Sequence, residues 1–299
     1  MSFSKEIRQG YVIFFRISMD NGRNRATGWK HAKLSGHENE AKVEHMFEDK
    51  EFCSEFSARL GIGEIKSANV GGLCETDVEC VLGGHTKSKT DLVLELVDGG
   101  KVRISIKKSS GGQVYLIGVD RFVAGFEKQF SVAIPDDIKD SLKLYFNGHT
   151  DTLKLLENPA IIAGQDEKLI GYQNRKGRLV WDSLVKMDKE KANRLLQWFK
   201  DNAANIAEYC FSRGLAQNSD DWADYVWYVN YLGEDDLDVI FSISDIREAI
   251  SSHLDMVVPG KRTGGSTILM PFGFVQWHQK QMQFHHSLAN LCEIVKNKR

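Results

Sequence analysis

Residues Lys89 to Lys108, KTDLVLELVDGGKVRISIKK, constrain this chain more than any other stretch. Two apolar-rich runs flank Asp98-Gly99-Gly100, a short loop of the kind that closes antiparallel strands. With a three-residue loop at that position, Asp91 is expected opposite Lys107, Val93 opposite Ser105 and Glu95 opposite Arg103. Side chains alternate across a strand. One face of the hairpin is therefore Leu92, Leu94, Leu96, Val102, Ile104 and Ile106, all apolar, and its destination is a core. The other face carries Asp91, Val93, Glu95, Arg103, Ser105 and Lys107, which gathers an acid, a hydroxyl and a base away from the turn. Two readings of that face stand. Glu95 with Arg103, and Asp91 with Lys107, form ordinary cross-strand ion pairs; or the acid and base form a reactive site. Lys87, Ser88, Lys89 and Thr90 precede Asp91, and Lys108, Ser109, Ser110, Gly111, Gly112 and Gln113 follow Lys107, so cations cluster where a polyanion can lie.

Asp91, thirteen intervening residues, then Ser105-Ile106-Lys107 resembles the PD-(D/E)XK nuclease motif, in the form found in type II restriction endonucleases. The resemblance covers roughly Ser35 to Val119. It implies that Asp91, the Ile106 carbonyl and an auxiliary acid bind Mg2+, and that Lys107 positions or activates the attacking water. Thr90 stands where the family has proline, and Ser105 stands where it has a second acid, a position at which some restriction enzymes also carry a non-acidic polar residue. The family also implies an α/β (α+β) fold, a mixed central sheet flanked by helices, and a helix before the hairpin that supplies the extra acid.

That helix is expected to start at Ser35. Ser35 followed by Glu38 forms a capping box, in which hydroxyl and carboxylate satisfy the first exposed amides. His37, Glu40 and Glu44 lie on one stripe of it, with Val43 and Phe47 pointing elsewhere. Glu40 is the candidate auxiliary acid and Glu44 its reserve; Asp77, in an expected strand over Glu75 to Leu82, competes. Carboxylates on one stripe also suit a plain surface helix. His85 is read as a loop histidine.

The chain has 299 residues, 42% hydrophobic, which is enough for a sizeable core. Its formal net charge of −2 speaks against a basic, non-specific nucleic-acid coat and is neutral on a nuclease. Five cysteines at irregular spacing fit neither a zinc knuckle nor a disulfide framework. The N-terminus lacks an apolar signal core and no run reaches membrane-span length, so a cytoplasmic protein with no membrane contact is expected.

Downstream, Gln113 to Val119 reads as a strand, Phe122 to Phe130 and a segment from Pro135 to Tyr145 as helices, and Lys168 to Tyr172 with Arg178 to Trp181 as two strands about a basic turn. Lys189 to Phe211 is a helix, Trp222 to Leu232 an aromatic stripe read as core, Val239 to Ile243 a strand and Asp245 to His253 a helix. Thr267 to Trp277 reads as one strand interrupted at Pro271. Lys108, Gln113, Lys261, Arg262, Gln276 and His278 are the candidate DNA-contacting residues, because amide and cationic side chains read base edges and phosphates. A polar hairpin that merely closes the fold is the alternative for the C-terminal members.

Residues 1–135 are thus expected to form the catalytic core, with 136–299 completing the fold and contributing DNA recognition; one continuous domain over the whole chain is the alternative. The expected activity is Mg2+-dependent hydrolysis of phosphodiester bonds in double-stranded DNA at a specific sequence, by a homodimer matching a palindromic site. A structure-specific repair or junction-resolving nuclease, and a non-catalytic DNA-binding module, are the rival readings.

Overall fold

The computed structural model describes residues 38–70, 77–148, 150–232, 237–260 and 266–296. A first helix, α1, covers 38–46; its expected start at Ser35 and the neighbouring His37 lie outside the described residues. Next come α2 (Lys50–Leu60), β1 (Ile65–Val70), the short β2 (Asp77–Glu79) and β3 (His85–Lys87), then β4 (Leu92–Leu96) and β5 (Lys101–Lys107). These are followed by β6 (Gly111–Ile117), α3 (Val119–Phe130) and α4 (Asp136–Leu142), which runs on into a π-helical turn, Lys143–Asn147. A helical stretch succeeds them: α5 (Thr150–Leu156), α6 (Pro159–Ile162), α7 (Glu167–Lys176), α8 (Trp181–Met187), α9 (Lys189–Asp201) and α10 (Ala203–Glu208). The chain closes with β7 (Tyr225–Val229), β8 (Asp238–Ser242), α11 (Ile243–Ser251), β9 (Val258–Pro259), β10 (Thr267–Met270), β11 (Gly273–His278), β12 (Gln281–Ser287) and α12 (Leu288–Lys296).

The fold is mixed α/β. The chain forms two units interleaved in sequence, one comprising residues up to Ser110 with Phe211–Ser244, the other Gly111–Cys210 with Asp245 onward. The first unit holds the central sheet, ordered β1-β4-β5-β7-β8. It is mixed: β5 and β7 run parallel, whereas β1 with β4, β4 with β5, and β7 with β8 are antiparallel. The apolar face of the hairpin is buried as its period predicts. Leu92, Leu94, Leu96, Val102, Ile104 and Ile106 join Val43 of α1 and Phe56 of α2 in one core, with Trp227, Val229 and Ile240 from the neighbouring strands. The aromatic stripe of β7 is core: Trp227 and Tyr228 are fully buried.

The register of the hairpin differs from the expected one by two residues. Val93 faces Arg103 and Glu95 faces Lys101. The loop is Val97-Asp98-Gly99, closed by Gly99 N to Leu96 O (3.0 Å) and Leu96 N to Gly100 O (2.8 Å). Asp98 Oδ1 accepts from Gly100 N at 2.9 Å, and Gly99 takes φ +86°, the left-handed conformation that such a three-residue loop requires. A shift of two preserves which face each side chain occupies, so the core is unaffected while the polar partners change. Glu95 receives Ser67 Oγ (3.3 Å) and Lys101 (4.0 Å) in place of Arg103. Arg103 turns to Asp220 and Asp224 (3.0 and 3.8 Å).

In the second unit an antiparallel sheet is ordered β6-β12-β11-β10-β9, with a core that includes Phe122, Phe126, Tyr145, Phe199 and Phe284. The strand expected after the hairpin is thus present as β6, and it pairs with β12 in this sheet. The two strands expected around residues 174–177 are absent. That stretch is helix α7, because Asp166 caps it by accepting from Leu169 N (2.7 Å) and Gly177 ends it with φ +60°. Thr267 to Trp277 is two antiparallel strands turning at Pro271-Phe272, since proline cannot donate to a ladder.

Candidate functional site

Asp91 enters from a tightly held approach to β4. Ser88 Oγ and Thr90 Oγ1 both donate to Asp221 O, at 2.8 and 3.2 Å, and Thr90 N donates to Ser88 Oγ at 3.0 Å. Thr90 thus ties this corner down by its hydroxyl. Asp91 N donates to Ile104 O at 2.9 Å, which continues the ladder and sets Asp91 beside Ser105.

One Asp91 oxygen, Oδ2, accepts from Ile106 N (2.7 Å) and from Ser105 Oγ (3.2 Å). Lys107 Nζ donates to Ser105 Oγ (2.5 Å) and to Ile106 O (3.0 Å), and stands 3.6 Å from Asp91 Oδ2. The pair is largely enclosed, the Lys107 and Asp91 side chains being 17% and 25% exposed. Ser105 is buried. Its hydroxyl therefore bridges acid and amine.

Glu40 completes the group from α1. The helix is pinned against the end of β7 by its neighbour Asn39, which is 1% exposed. Asn39 Nδ2 donates to Val229 O (3.1 Å) and its Oδ1 accepts from Tyr231 N (2.8 Å). Lys42 Nζ adds a bond to Tyr231 O (3.1 Å). With α1 held there, Val43 enters the core and Glu40, half-buried, comes within electrostatic reach of Asp91 and Lys107. Burial and then repulsion from Asp91 push the Glu40 carboxyl up to about 7, against the opposing pull of Lys107.

The other candidate acids stand differently. Glu44 is exposed. Asp77 is exposed on β2 and paired with Lys87 Nζ at 2.8 Å, and this bond holds its carboxyl below the usual carboxylate range. His85 sits on β3 across from Glu79. Among the described residues no group of three or more His, Cys, Asp or Glu side chains is arranged to hold a metal ion. The donors available beside Lys107 are two carboxylates, Asp91 and Glu40, and the Ile106 carbonyl. All are hard oxygen donors, and a Mg2+ ion bound next to phosphate takes one or two carboxylates plus water and phosphate oxygens. The residues fit that ion.

Of the candidate DNA-contacting residues, Lys261 and Arg262 lie outside the described residues. Gln113 and Gln276 belong to an amide ladder across three adjacent strands. Gln276 Nε2 donates to Gln283 Oε1 (2.8 Å), and Gln283 Nε2 donates to Gln113 Oε1 (2.7 Å). His285, within 3.2 Å of Gln276, stacks on Phe274, and its pKa is lowered by burial and by His278. His278 ends β11 at the two-residue turn Gln279-Lys280, where both residues have positive φ, the conformation of a tight hairpin turn. His285, which joins this ladder through Gln276, was not singled out from the sequence; cross-strand neighbours emerge only once the strands are registered.

No protein-family model matches the chain, and no curated protein matches it. A solved structure similar to it is that of the restriction endonuclease MspI in complex with its cognate DNA, at 16% identity and a TM-score of 0.44, over 79% of this chain and 77% of that one. A likeness at that level assigns no role to any residue. Among the described residues no helix is long and apolar enough to cross a membrane.

Proposed function

We propose that the chain is a Mg2+-dependent endonuclease that hydrolyses phosphodiester bonds in double-stranded DNA, acting as a type II restriction enzyme at a specific sequence. One observation carries this reading: Asp91, Ser105 and Lys107 meet with the Ile106 carbonyl at the open end of the hairpin, and Glu40 of α1 lies within electrostatic reach of Asp91 and Lys107. A buried charge pair kept only for stability needs no further acid. Here a second carboxylate is held where it is repelled by the first, and that frustration is what a divalent cation relieves.

In this reading Asp91, Glu40 and Ile106 O hold Mg2+. The ion, when bound, supplies Lewis-acid polarisation of the scissile phosphate and lowers the pKa of a water. Asp91 is oriented for this by Ile106 N and Ser105 Oγ, which occupy Oδ2. Lys107, now bonded to Ser105 Oγ and Ile106 O, places a cation against the phosphate oxygens and holds the attacking water. Ser105 cannot add anionic charge, so Glu40 provides the second carboxylate. Sequence reading falls to Gln113, Gln276, His278, Lys108, Lys261 and Arg262 as contacts, in a homodimer.

A second reading, a DNA-binding module with a purely structural ion pair, is favoured by the hydrogen bonds that already engage Asp91 Oδ2. One experiment separates them. The full chain is incubated with a large sequenced DNA, with Mg2+ or with a chelator, and the ends are mapped. Discrete Mg2+-dependent ends at a recurring sequence are expected. Intact DNA with a folded protein supports the binding module, and ends that follow branched or damaged structures indicate a structure-specific nuclease.

A further inference from the structure

The second unit buries a guanidinium that the proposed reaction does not use. Arg178 is 0% exposed. It lies 4.2 Å from the centre of the Trp277 indole and 4.9 Å from that of the Tyr172 ring. Among the described residues, none of its three side-chain nitrogens finds a hydrogen-bond acceptor, and neither does Trp277 Nε1 on the ring it stacks against. Lys176 Nζ stands 4.9 Å from the same indole.

The surroundings make this arrangement an outlier. Neighbouring polar groups are satisfied. Gln173, fully buried, donates to Gln165 Oε1 and accepts from Val180 N. Tyr145 OH is engaged by the Thr267 backbone on both sides, and Ser266 Oγ donates to Leu179 O. The backbone around Arg178 leaves it little choice of position. Gly177 closes α7 in the left-handed conformation, Leu179 N bonds Leu144 O (3.3 Å), and Val180 N bonds Gln173 (3.0 Å). The side chain is thus delivered inward by its neighbours. A buried charge without acceptors is among the costliest groups a fold can hold, and stacking on rings offsets only part of that. Burial lowers the Arg178 pKa to about 9, so the guanidinium still carries its charge at neutral pH.

We propose that Arg178, Trp277 Nε1 and Lys176 form a binding site for a phosphoryl oxyanion, closed in the free protein by half-buried Tyr172, Lys176 and Trp277 side chains. The donor count selects the ligand. Guanidinium and indole N–H groups donate and never accept, which excludes cations and ligands rich in donors of their own. A carboxylate satisfies one edge of the guanidinium fork. A phosphate brings more oxygens and more charge, which matches a fork, an indole N–H and a second cation together. The site belongs to the second unit alone and is independent of the nuclease reading.

The test uses the full chain in chelator, so that no cleavage intervenes. Thermal unfolding is followed as inorganic phosphate is raised at constant ionic strength against chloride, and binding is measured directly by titration calorimetry. A Tm rise of about 5–10 °C is expected at phosphate a hundredfold above its Kd. Arg178→Met, which keeps the volume and removes the charge, is expected to abolish that rise while unfolding at the same temperature as the wild type or higher in phosphate-free buffer. Arg178→Lys is expected to keep part of it. If Arg178→Met does not fold, Trp277→Phe, which removes the indole donor and keeps an aromatic face, is expected to weaken binding about tenfold. Short duplexes with and without 5′-phosphates identify the source. Competition by duplex assigns the site to a nucleic-acid phosphate, and binding of inorganic phosphate with no competition assigns it to a free phosphate or nucleotide. No calorimetric binding of either probe overturns the proposal, as does an equal phosphate effect on wild type and Arg178→Met.

Discussion

Glu40→Gln probes the site without needing DNA. The Glu40 carboxyl rises from an ordinary 4.5 to about 7, first because it is half-buried and then because Asp91 repels it. A carboxylate whose pKa is higher in the fold than in the unfolded chain is penalised when charged. Its contribution is therefore intact below about pH 4.5 and lost as pH rises through 7. Taken at face value, the shift corresponds to about 3 kcal/mol by pH 8. The side chain still meets solvent, and screening reduces this to about 1 kcal/mol. Gln has nearly the same shape and no charge. In chelator, Glu40→Gln should match the wild type in Tm at pH 4.5 and exceed it by about 2–4 °C at pH 8. Adding Mg2+ at pH 8 should raise the Tm of the wild type more than that of the variant, while DNA cleavage by the variant falls strongly and needs more Mg2+. Asp77→Asn is the control. Asp77 is exposed and already paired with Lys87, so its loss should leave the Mg2+ dependence unchanged. A Glu40→Gln variant destabilised equally at both pH values, with wild-type Mg2+ response, would refute the reasoning and make Glu40 a structural residue of α1.

Three further outcomes follow from the same geometry. Lys107→Ala should remove cleavage while the protein still folds and binds DNA, with Tm lower by a few degrees, because Asp91 keeps its bonds from Ile106 N and Ser105 Oγ; near-wild-type cleavage would exclude Lys107 from the reaction. Asp91→Asn should abolish Mg2+-dependent cleavage, since a neutral amide is a poor ligand for a hard cation, and calorimetry should show the loss of Mg2+ binding. Gly273→Ala should destabilise the second unit by about 3 kcal/mol or more, read by thermal unfolding, because Gly273 has φ +153° and a Cβ there would lie 2.0 Å from His285 O.

Much of the site was legible locally. The period of two in Leu92, Leu94, Leu96, Val102, Ile104 and Ile106 defines a buried face whatever the register, because a slip by two leaves every side chain on its own side. That is why Asp91, Ser105 and Lys107 were placed on one face while Arg103 was given the wrong partner. The register depended on which residues of Val97-Asp98-Gly99-Gly100 form the loop, and this was decided by a left-handed Gly99 and the Asp98 side chain together. Glu40 was selected by helical period, but its approach to Asp91 depends on Asn39 reaching Val229 and Tyr231, about 190 residues away. No local pattern encodes such a bond; it forms only after the intervening chain has been folded and its closure entropy overcome. The same holds for Arg178. In the sequence it follows a basic stretch that reads as a surface turn. Only the Asp166 cap, the Gly177 terminus and the tied backbone of Leu179 and Val180 turn that stretch into a helix end and send the guanidinium inward, between rings from α7 and β11. Periodicity tells a side chain which way to face; what it meets there is settled by contacts between segments far apart in the chain, whose energies exist only in the folded state.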